Sequence, residues 1–361
     1  MSETFVIAEI GVNHNGELQK ALDLIDIASE AGANAVKFQT FNSDSLSTKY
    51  AKKASYQEIK SKKSESQLDM LRKLELSSED YEAIKKNCIE RNIQFMSTAF
   101  DSESLKFLVE IMKVKTLKVP SGEITNGPFL LEHARTGLNI ILSSAMSKWN
   151  EVELALAYIC FGYLNPKKEV NPLEVNKCYR SKEGKSILEE KVVILHCTSQ
   201  YPAPLEDINL NALKTLKSEF GTRIGYSDHS LGYLVASSAI SLGADVIEKH
   251  ITLDKNLPGP DHGASLDPDE FKEFVKVIKD TEVFLGDGIK RITSSEEETK
   301  DVARKSIVAN QFIKKGEIFT DKNLAIKRPG TGMSPMQVWD LFGKESPKDF
   351  SKDEIIEIWM H

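Results

Sequence analysis

The chain has 361 residues, 40% hydrophobic and 28% charged, which is enough to bury one large core and a second small one. Its formal net charge of -7 argues against non-specific nucleic-acid binding, which needs a basic face, but allows a small anionic ligand held by local lysines. We see no secretory leader, no apolar run near the roughly 20 residues of a membrane span and no C-x-x-C pair, so we expect a cytoplasmic protein with reduced thiols.

Short apolar runs alternate with amphipathic helical stretches over most of the chain. The runs predict strands at 5–10, 35–38, 93–100, 116–123, 139–146, 192–202, 223–226 and 244–248. Helical spacing predicts helices at 17–31, 67–74, 78–91, 102–112, 128–135, 149–159, 211–220, 231–242 and 271–284. Eight βα units of this size favour the α/β class and a closed (β/α)8 TIM barrel over residues 1–285.

Four stretches depart from this alternation. Residues 42–65 are polar and lysine-rich, which predicts an exposed loop. Residues 161–190 lack a sustained apolar period, so we expect a loop inserted at the surface. Residues 286–302 read as a polar linker. Residues 303–361 contain short strand-like pieces around Gly and Pro turns, which predicts a small, mostly β domain.

Two histidines, His229 and His250, are predicted to lie at the carboxyl ends of successive parallel strands, where barrels bind ligands. Two imidazoles are too few for a structural zinc site but suit a divalent ion with positions open to substrate. We expect His14 and His196 to be structural or to support the metal ligands from behind, and Cys197 to be buried and inert.

Lys37 and Lys118 are likewise predicted to lie near the carboxyl ends of two other strands. Lysines at strand ends with serines nearby are typical of a site for a multiply charged anion. Glu9 and Glu123 are the best acid–base groups, because carboxylates among lysines stay ionised and can orient a water.

Nine short motifs occur in order along nearly the whole chain. They read AEIGVNHNG, NAVKFQTF, FMSTAFD, LKVPSGEI, ILSSAM, LHCTSQYPAP, GYSDHS, IEKHITLDKNLPGPDH and KRPGTGMSP. Together they resemble the bacterial sialic acid synthase family, N-acetylneuraminate synthase and its relatives. The resemblance implies a TIM barrel followed by an antifreeze-like (SAF) domain in a domain-swapped homodimer. It also implies condensation of phosphoenolpyruvate with an N-acetylated mannosamine-type sugar.

The resemblance also implies a role for individual residues. His229 and His250 would bind Mn²⁺, or Mg²⁺ or Co²⁺, which polarises the sugar aldehyde. The phosphoenolpyruvate ligands would be Lys37, Lys118, Ser121, Ser143, Ser199 and Ser227. The sugar contacts would be Gln39, Thr98, Tyr201, Asp261 and, from the partner's SAF domain, Arg328. Either Glu9 or Glu123 would activate the water that adds at C2 of phosphoenolpyruvate.

Three positions depart from the common family pattern. Ser199 stands where some members have Asn, and the fifth strand reads SSAM where STGM is common. The loop GPDH places His262 beside Asp261, a variant of the subgroup that includes neuraminate and legionaminate synthases.

Our main interpretation is an N-acetylneuraminate synthase, with an N,N'-diacetyllegionaminate synthase acting on 2,4-diacetamido-2,4,6-trideoxymannose as the alternative. A second enzyme class that fits these residues is a divalent-metal aldolase that uses pyruvate. A requirement for phosphoenolpyruvate, with release of phosphate, would exclude this class. A tail that binds ice or carbohydrate is a non-enzymatic alternative, but its charged residues, such as Lys314 and Lys315, suit a flat apolar ice-binding face poorly.

Overall fold

The computed structural model describes residues 3–48, 50–51 and 66–357. Eight strands close into a barrel in sequence order, and every neighbouring pair is parallel. They are β1 (Phe5–Gly11), β2 (Ala35–Thr40), β3 (Gln94–Ala99), β4 (Thr116–Val119), β5 (Asn139–Ser143), β6 (Val192–Cys197), β7 (Arg223–Asp228) and β8 (Val246–His250). The predicted (β/α)8 barrel is therefore confirmed.

Helices connect the strands and cover the barrel. They are α1 (Leu18–Ala31), α2 (Ser43–Leu46), α3 (Gln67–Arg72), α4 (Ser78–Glu90), α5 (Ser102–Glu110), α6 (Gly127–Arg135), α7 (Trp149–Leu164), α8 (Pro172–Tyr179), α9 (Lys182–Lys191), α10 (Ala212–Phe220), α11 (Leu234–Ser241) and α12 (Pro268–Leu285). The start of α12 is encoded locally, since the Asp267 side chain accepts from the Glu270 amide and Pro268 occupies the first turn.

Inward-facing side chains change from apolar to polar along the barrel axis. An apolar cluster fills the interior: Ile7, Ala35, Met96, Ile141, Val193, Leu195 and Val246. Two residues further along five of these strands stand Glu9, Lys37, Thr98, Ser143 and Glu248. Because side chains two apart on a strand share a face, these polar groups stand above the apolar layer at the carboxyl ends of the strands.

Gly225 belongs to the same interior face of β7. A Cβ there would lie 2.5 Å from both the Leu195 Cδ2 atom and the Val246 carbonyl oxygen. Only glycine allows β6, β7 and β8 to approach this closely, and β7 and β8 lead to His229 and His250.

Strands β7 and β8 both extend further than the sequence predicted. β7 runs to Asp228 rather than residue 226, and β8 runs to His250 rather than residue 248. The parallel pairing continues to Asp228 opposite Lys249, so polar residues stay in the sheet beyond the apolar run. Helix α11 correspondingly begins at Leu234 instead of residue 231.

The prediction of a surface loop at 161–190 was wrong. α7 continues to Leu164, and α8 and α9 follow and pack with it; Val175 of α8 joins Leu131, Ala157 and Phe161 in one buried cluster. The helices are amphipathic but short, and only a few apolar side chains are buried in each, which explains the missing apolar period.

The loop predicted over 42–65 is only partly described. It contains the four-residue helix α2, whereas residues 49 and 52–65 lie outside the described part of the chain. None of the helices within the described ranges is both long and apolar enough to cross a membrane.

The chain divides into two compact units, residues 1–287 and 288–361. The second unit holds α13 (Glu297–Ala303), the antiparallel strands β9 (Ser306–Ala309) and β10 (Leu324–Lys327), and α14 (Val338–Leu341). Its own core includes Ile307, Phe319 and Phe350. The stretch expected to be a linker, 286–302, thus contains most of helix α13. The prediction of a small, mostly β domain in the tail is confirmed.

Candidate active site

A cavity of about 170 Å³ opens at the carboxyl ends of the barrel strands, and all eight strands or the turns after them contribute to it. Most of the predicted site residues line it: Glu9, Lys37, Gln39, Thr98, Lys118, Ser121, Ser143, Ser199, Tyr201, Ser227, His229 and His250. The barrel therefore gathers residues that lie up to 241 positions apart in sequence, from Glu9 to His250. The remaining predicted residues, Glu123, Asp261 and Arg328, are not part of this lining.

Two lysines and two glutamates form a buried cluster in the cavity. Lys37 Nζ lies 2.6 Å from Glu9 Oε2 and 3.6 Å from Glu248 Oε2. Lys118 Nζ donates to both Glu248 oxygens, at 2.9 and 3.1 Å. All four residues are at most 4% exposed, so their charges are stabilised mainly by one another.

Burial and neighbouring charge set different protonation states within this cluster. Burial raises the pKa of Glu9 to about 7, although Lys37 opposes the shift. Burial would also raise the pKa of Glu248, but the ammonium groups of Lys118 and Lys37 outweigh it and hold that pKa well below its usual range. Near neutral pH, Glu248 is a fixed negative charge whereas Glu9 can exchange a proton.

Serine and threonine hydroxyl groups line the cavity together with the two ammonium groups. Lys37 Nζ lies 3.2 Å from Thr98 Oγ1, and Ser227 Oγ donates to Glu248 Oε1 at 2.8 Å. Ser121 Oγ accepts from the Ala145 amide at 3.1 Å. The resulting set of ammonium and hydroxyl donors is the chemistry that a phosphate or carboxylate group requires.

His229 and His250 face one another across the same cavity, with ring centres 5.6 Å apart. His229 Nδ1 lies 2.7 Å from the Thr198 carbonyl oxygen, which can only accept, so Nδ1 carries the proton and Nε2 presents a lone pair. His250 Nδ1 is buried without a hydrogen-bond partner. The Tyr201 ring lies over His229, 4.1 Å between ring centres.

Both imidazoles are neutral at pH 7. Burial lowers the pKa of His229 to about 4, and burial together with His229 lowers that of His250 well below its usual value. Neutral imidazoles with available lone pairs are what a divalent ion needs from histidine. No cluster of three or more His, Cys, Asp and Glu side chains suited to a metal occurs within residues 3–48, 50–51 and 66–357. The two imidazoles therefore fit an ion that takes its remaining ligands from water or substrate.

The two predicted acid–base carboxylates occupy different environments. Glu9 is 2% exposed and its Oε1 lies 3.4 Å from Gln39 Nε2. Glu123 is half-buried in the 3₁₀ turn after β4, where its Oε2 accepts from the side-chain Nδ2 of Asn126 at 2.7 Å.

Asp261 belongs to the first unit and Arg328 to the second. Asp261 is 8% exposed, and burial raises its pKa to about 6 against the opposing charge of Lys37. Arg328 belongs to the second unit, where it is exposed and its Nε donates to the Ala303 carbonyl at 3.0 Å.

Cys197 is buried as predicted, yet it lines the cavity with its Sγ 3.5 Å from Ser121 Oγ. His14 and His196 do not line the cavity. His14 Nδ1 accepts from the Gly16 amide, and His196 Nε2 lies 2.6 Å from the Ile208 carbonyl oxygen.

Glu248 is the main residue to which the sequence assigned no role. Its position in VIEKH carried a signal, because strand alternation places it on the same face as His250. Its contacts with Lys37, Lys118 and Ser227 depend on the barrel closing β8 against the other strands, which no local pattern reveals.

Comparison with known proteins places these residues in a family. The model of the NeuB family matches residues 24–290. The chain belongs to the NeuB family. The model of the SAF domain matches residues 304–357, within the second unit. The sequence resemblance to sialic acid synthases, and the barrel-plus-SAF architecture that it implied, are confirmed.

Relatives extend over nearly the full length of the chain. N,N'-diacetyllegionaminic acid synthase of Campylobacter jejuni is 43% identical over 356 residues, covering 99% of both chains. The protein of the same name from Legionella pneumophila is 42% identical and covers 99% of this chain and 94% of its own. Human N-acetylneuraminate-9-phosphate synthase is 33% identical and covers 98% of this chain and 91% of its own.

Solved structures agree with this assignment. N-acetylneuraminic acid synthetase from Leptospira borgpetersenii, in complex with citrate, is 32% identical with a TM-score of 0.65 and covers 82% of this chain and 90% of its own. The spore coat polysaccharide biosynthesis protein SpsE of Bacillus subtilis is also 32% identical, with a TM-score of 0.62, and covers 100% and 96%.

Proposed function

We propose that this chain condenses phosphoenolpyruvate with 2,4-diacetamido-2,4,6-trideoxymannose to form N,N'-diacetyllegionaminic acid and phosphate. The observation that carries the choice of sugar is the full-length identity of 42–43% to two proteins named N,N'-diacetyllegionaminic acid synthase. The comparisons thus favour the alternative from the sequence analysis over its main interpretation.

The cluster around Lys37 and Lys118 supports phosphoenolpyruvate as the anionic substrate. Its phosphate and carboxylate would be bound by the two ammonium groups and by hydroxyls of Ser121, Ser143, Ser199 and Ser227. Glu248 neutralises one of the two ammonium charges, so the cluster carries no large excess of buried positive charge before the substrate binds.

His229 and His250 would hold a divalent ion, with Mn²⁺ our first choice and Mg²⁺ or Co²⁺ as alternatives. Such an ion, when bound, supplies Lewis-acid polarisation of the aldehyde of the open-chain sugar. Burial keeps both imidazoles neutral, and the Thr198 carbonyl fixes the His229 tautomer so that its Nε2 is available as a ligand.

The reaction forms one carbon–carbon bond and releases one phosphate. C3 of phosphoenolpyruvate attacks the aldehyde carbon, water adds at C2, and the phosphate leaves to give a 2-keto acid. Glu9 is the better placed of the two carboxylates to take the proton of that water, because it lines the cavity and its pKa is about 7.

The sugar would lie toward Gln39, Thr98, Tyr201 and Asp261, with Arg328 supplied by the partner chain of a domain-swapped homodimer. Arg328 carries a guanidinium in an exposed position of the SAF unit, as an intermolecular contact requires. The cytoplasmic location also remains a prediction.

N-acetylneuraminate synthesis from N-acetylmannosamine is the second candidate function. The observation that favours it is the 32% identity to the Leptospira borgpetersenii N-acetylneuraminic acid synthetase. A metal-dependent pyruvate aldolase is disfavoured by the site, which presents two buried lysines for an anion larger than a single carboxylate.

Phosphate release tests the proposal. Purified, EDTA-treated protein should release phosphate only when phosphoenolpyruvate, the diacetamido sugar and Mn²⁺ are all present, and mass spectrometry should find the sugar enlarged by one pyruvate unit. His229→Ala should abolish turnover while circular dichroism shows a retained fold. Turnover with pyruvate in place of phosphoenolpyruvate, or full activity of His229→Ala, would contradict the proposal.

A further inference from the structure

A buried ion pair stands directly behind the two imidazoles. Lys249 Nζ lies 2.9 Å from Asp228 Oδ2, and both side chains are 0% exposed. Asp228 precedes His229 in the chain and Lys249 precedes His250, and the two charged residues are register partners in the β7–β8 ladder. Because neighbouring side chains on a strand point to opposite faces, the pair lies on the outer face of the barrel wall while His250 faces the cavity.

The same pair ties down the backbone after β7. Asp228 Oδ1 accepts from the Ser230 amide at 2.9 Å and from the Ser230 hydroxyl at 2.6 Å. Lys249 Nζ also donates to the Ser230 carbonyl oxygen. Asp228 and Ser230, on the two sides of His229, are therefore bound to one another and to Lys249, the residue before His250.

The remaining contacts of His229 complete this restraint. Its backbone carbonyl accepts from the Ala203 amide at 2.8 Å, and its Nδ1 lies 2.7 Å from the Thr198 carbonyl oxygen. With Nδ1 occupied, only the Nε2 atom of the His229 ring is available on the cavity side. His229 is thus held by hydrogen bonds to residues that do not line the cavity.

Stability alone is a poor explanation for charges at this place. Removing an ammonium and a carboxylate from water is costly, and well-packed apolar residues of the same volume often stabilise a fold equally well or better. An ion pair with directed hydrogen bonds instead holds the neighbouring backbone in one defined arrangement. Metal ligands need such an arrangement, since metal–ligand distances tolerate only about 0.2 Å of error.

We propose that Asp228 and Lys249 are positioning residues for the metal site: their pairing across β7 and β8 sets the separation at which His229 and His250 bind one divalent ion. The inference rests on the proposed metal role of these two histidines. Neither Asp228 nor Lys249 lines the cavity in which the substrates would bind.

The test is direct binding of Mn²⁺, measured by calorimetry on EDTA-treated full-length protein without substrates. The double variant Asp228→Asn/Lys249→Met removes both charges and leaves no unpaired one, and Asn keeps an acceptor for Ser230. We expect its thermal unfolding to stay near that of the wild type while Mn²⁺ affinity falls roughly 10- to 100-fold, the range for lost partners behind metal ligands. Leu108→Ala, which opens a cavity in helix α5, is the matched control: it should lower the unfolding temperature and leave Mn²⁺ affinity unchanged.

Each outcome decides the matter. A folded double variant that binds Mn²⁺ within twofold of the wild type overturns the positioning role. If the double variant fails to fold, Ser230→Ala decides instead, because it removes one hydrogen bond of the network: a several-fold loss of affinity supports the inference and an unchanged affinity overturns it. A wild type that binds no Mn²⁺, or binds it equally after His229→Ala, overturns the metal site itself and the inference with it.

Discussion

Glu9 Oε2 lies 2.6 Å from Lys37 Nζ, with both side chains at most 4% exposed. The same ammonium is shared with Glu248, 3.6 Å away, so Lys37 links a carboxylate that stays ionised to one whose pKa is about 7. A bound phosphate group would compete with Glu9 for this lysine. Substrate binding and the protonation of Glu9 are therefore coupled through one side chain.

We first predict a pH dependence that assigns the base. A carboxylate that activates water must be ionised, so kcat/KM should fall as the pH decreases through about 7, the raised pKa of Glu9. Glu9→Gln should lower kcat by roughly 10²- to 10⁴-fold. Glu123→Gln is the matched control and should keep both the rate and the pH profile; a normal rate in Glu9→Gln and a large loss in Glu123→Gln would reverse the assignment.

The second prediction concerns the Lys118–Glu248 pair. Lys118→Met leaves Glu248 with Lys37 at 3.6 Å and Ser227 as partners, so the fold should lose roughly 2–4 kcal/mol and the KM for phosphoenolpyruvate should rise strongly. Adding Glu248→Gln removes the stranded charge and should recover most of the stability in urea unfolding, but not the KM. Recovery of both quantities would mean that Lys118 does not bind the substrate.

Asp261 gives a third prediction, on stability. Burial raises its pKa from 3.8 to about 6, so the folded protein favours the neutral acid: this contribution is complete below pH 3.8 and is lost as the pH rises through 6. Asp261→Asn should therefore gain stability relative to the wild type between pH 4 and pH 8, by at most about 3 kcal/mol. Urea unfolding of both proteins at several pH values measures this, and a difference independent of pH would contradict the burial argument.

Much of this site follows from the sequence because a parallel barrel places strand ends together. Lys37, Lys118, His229 and His250 were each found from a polar residue at the end of an apolar run, and all four line the cavity. What the sequence could not decide was burial: Glu9 and Glu123 look equivalent beside their strands, yet one is 2% exposed and the other half-buried.

The pairing of residues between strands could not be predicted from the sequence either. Asp228 and Lys249 meet only because of the β7–β8 register, which the sequence of neither strand reveals. The helices α8 and α9 were missed for a related reason, since each buries few side chains, among them Val175 and Leu188, and the rest of their surface is polar.

The fourth prediction tests the swapped dimer. Arg328→Ala should raise the KM for the sugar by about tenfold or more and leave that for phosphoenolpyruvate nearly unchanged, as expected for a lost charged hydrogen bond. Lys327→Ala, an exposed neighbour paired with Asp353, is the control and should behave as the wild type.

Mixing variants extends this test. If Arg328 acts on the partner's barrel, subunits carrying Arg328→Ala and subunits carrying Glu9→Gln should restore activity when they exchange, because one site of each mixed dimer is intact. No recovery after exchange verified by mass spectrometry would argue against a contact between chains.

The central claim is the choice of sugar, and the most direct measurement compares two substrates under identical conditions. Phosphate release from phosphoenolpyruvate with Mn²⁺ should be followed over a range of 2,4-diacetamido-2,4,6-trideoxymannose and of N-acetylmannosamine concentrations. We predict a higher kcat/KM for the diacetamido sugar. A higher kcat/KM for N-acetylmannosamine would instead make the chain an N-acetylneuraminate synthase and contradict the proposed function.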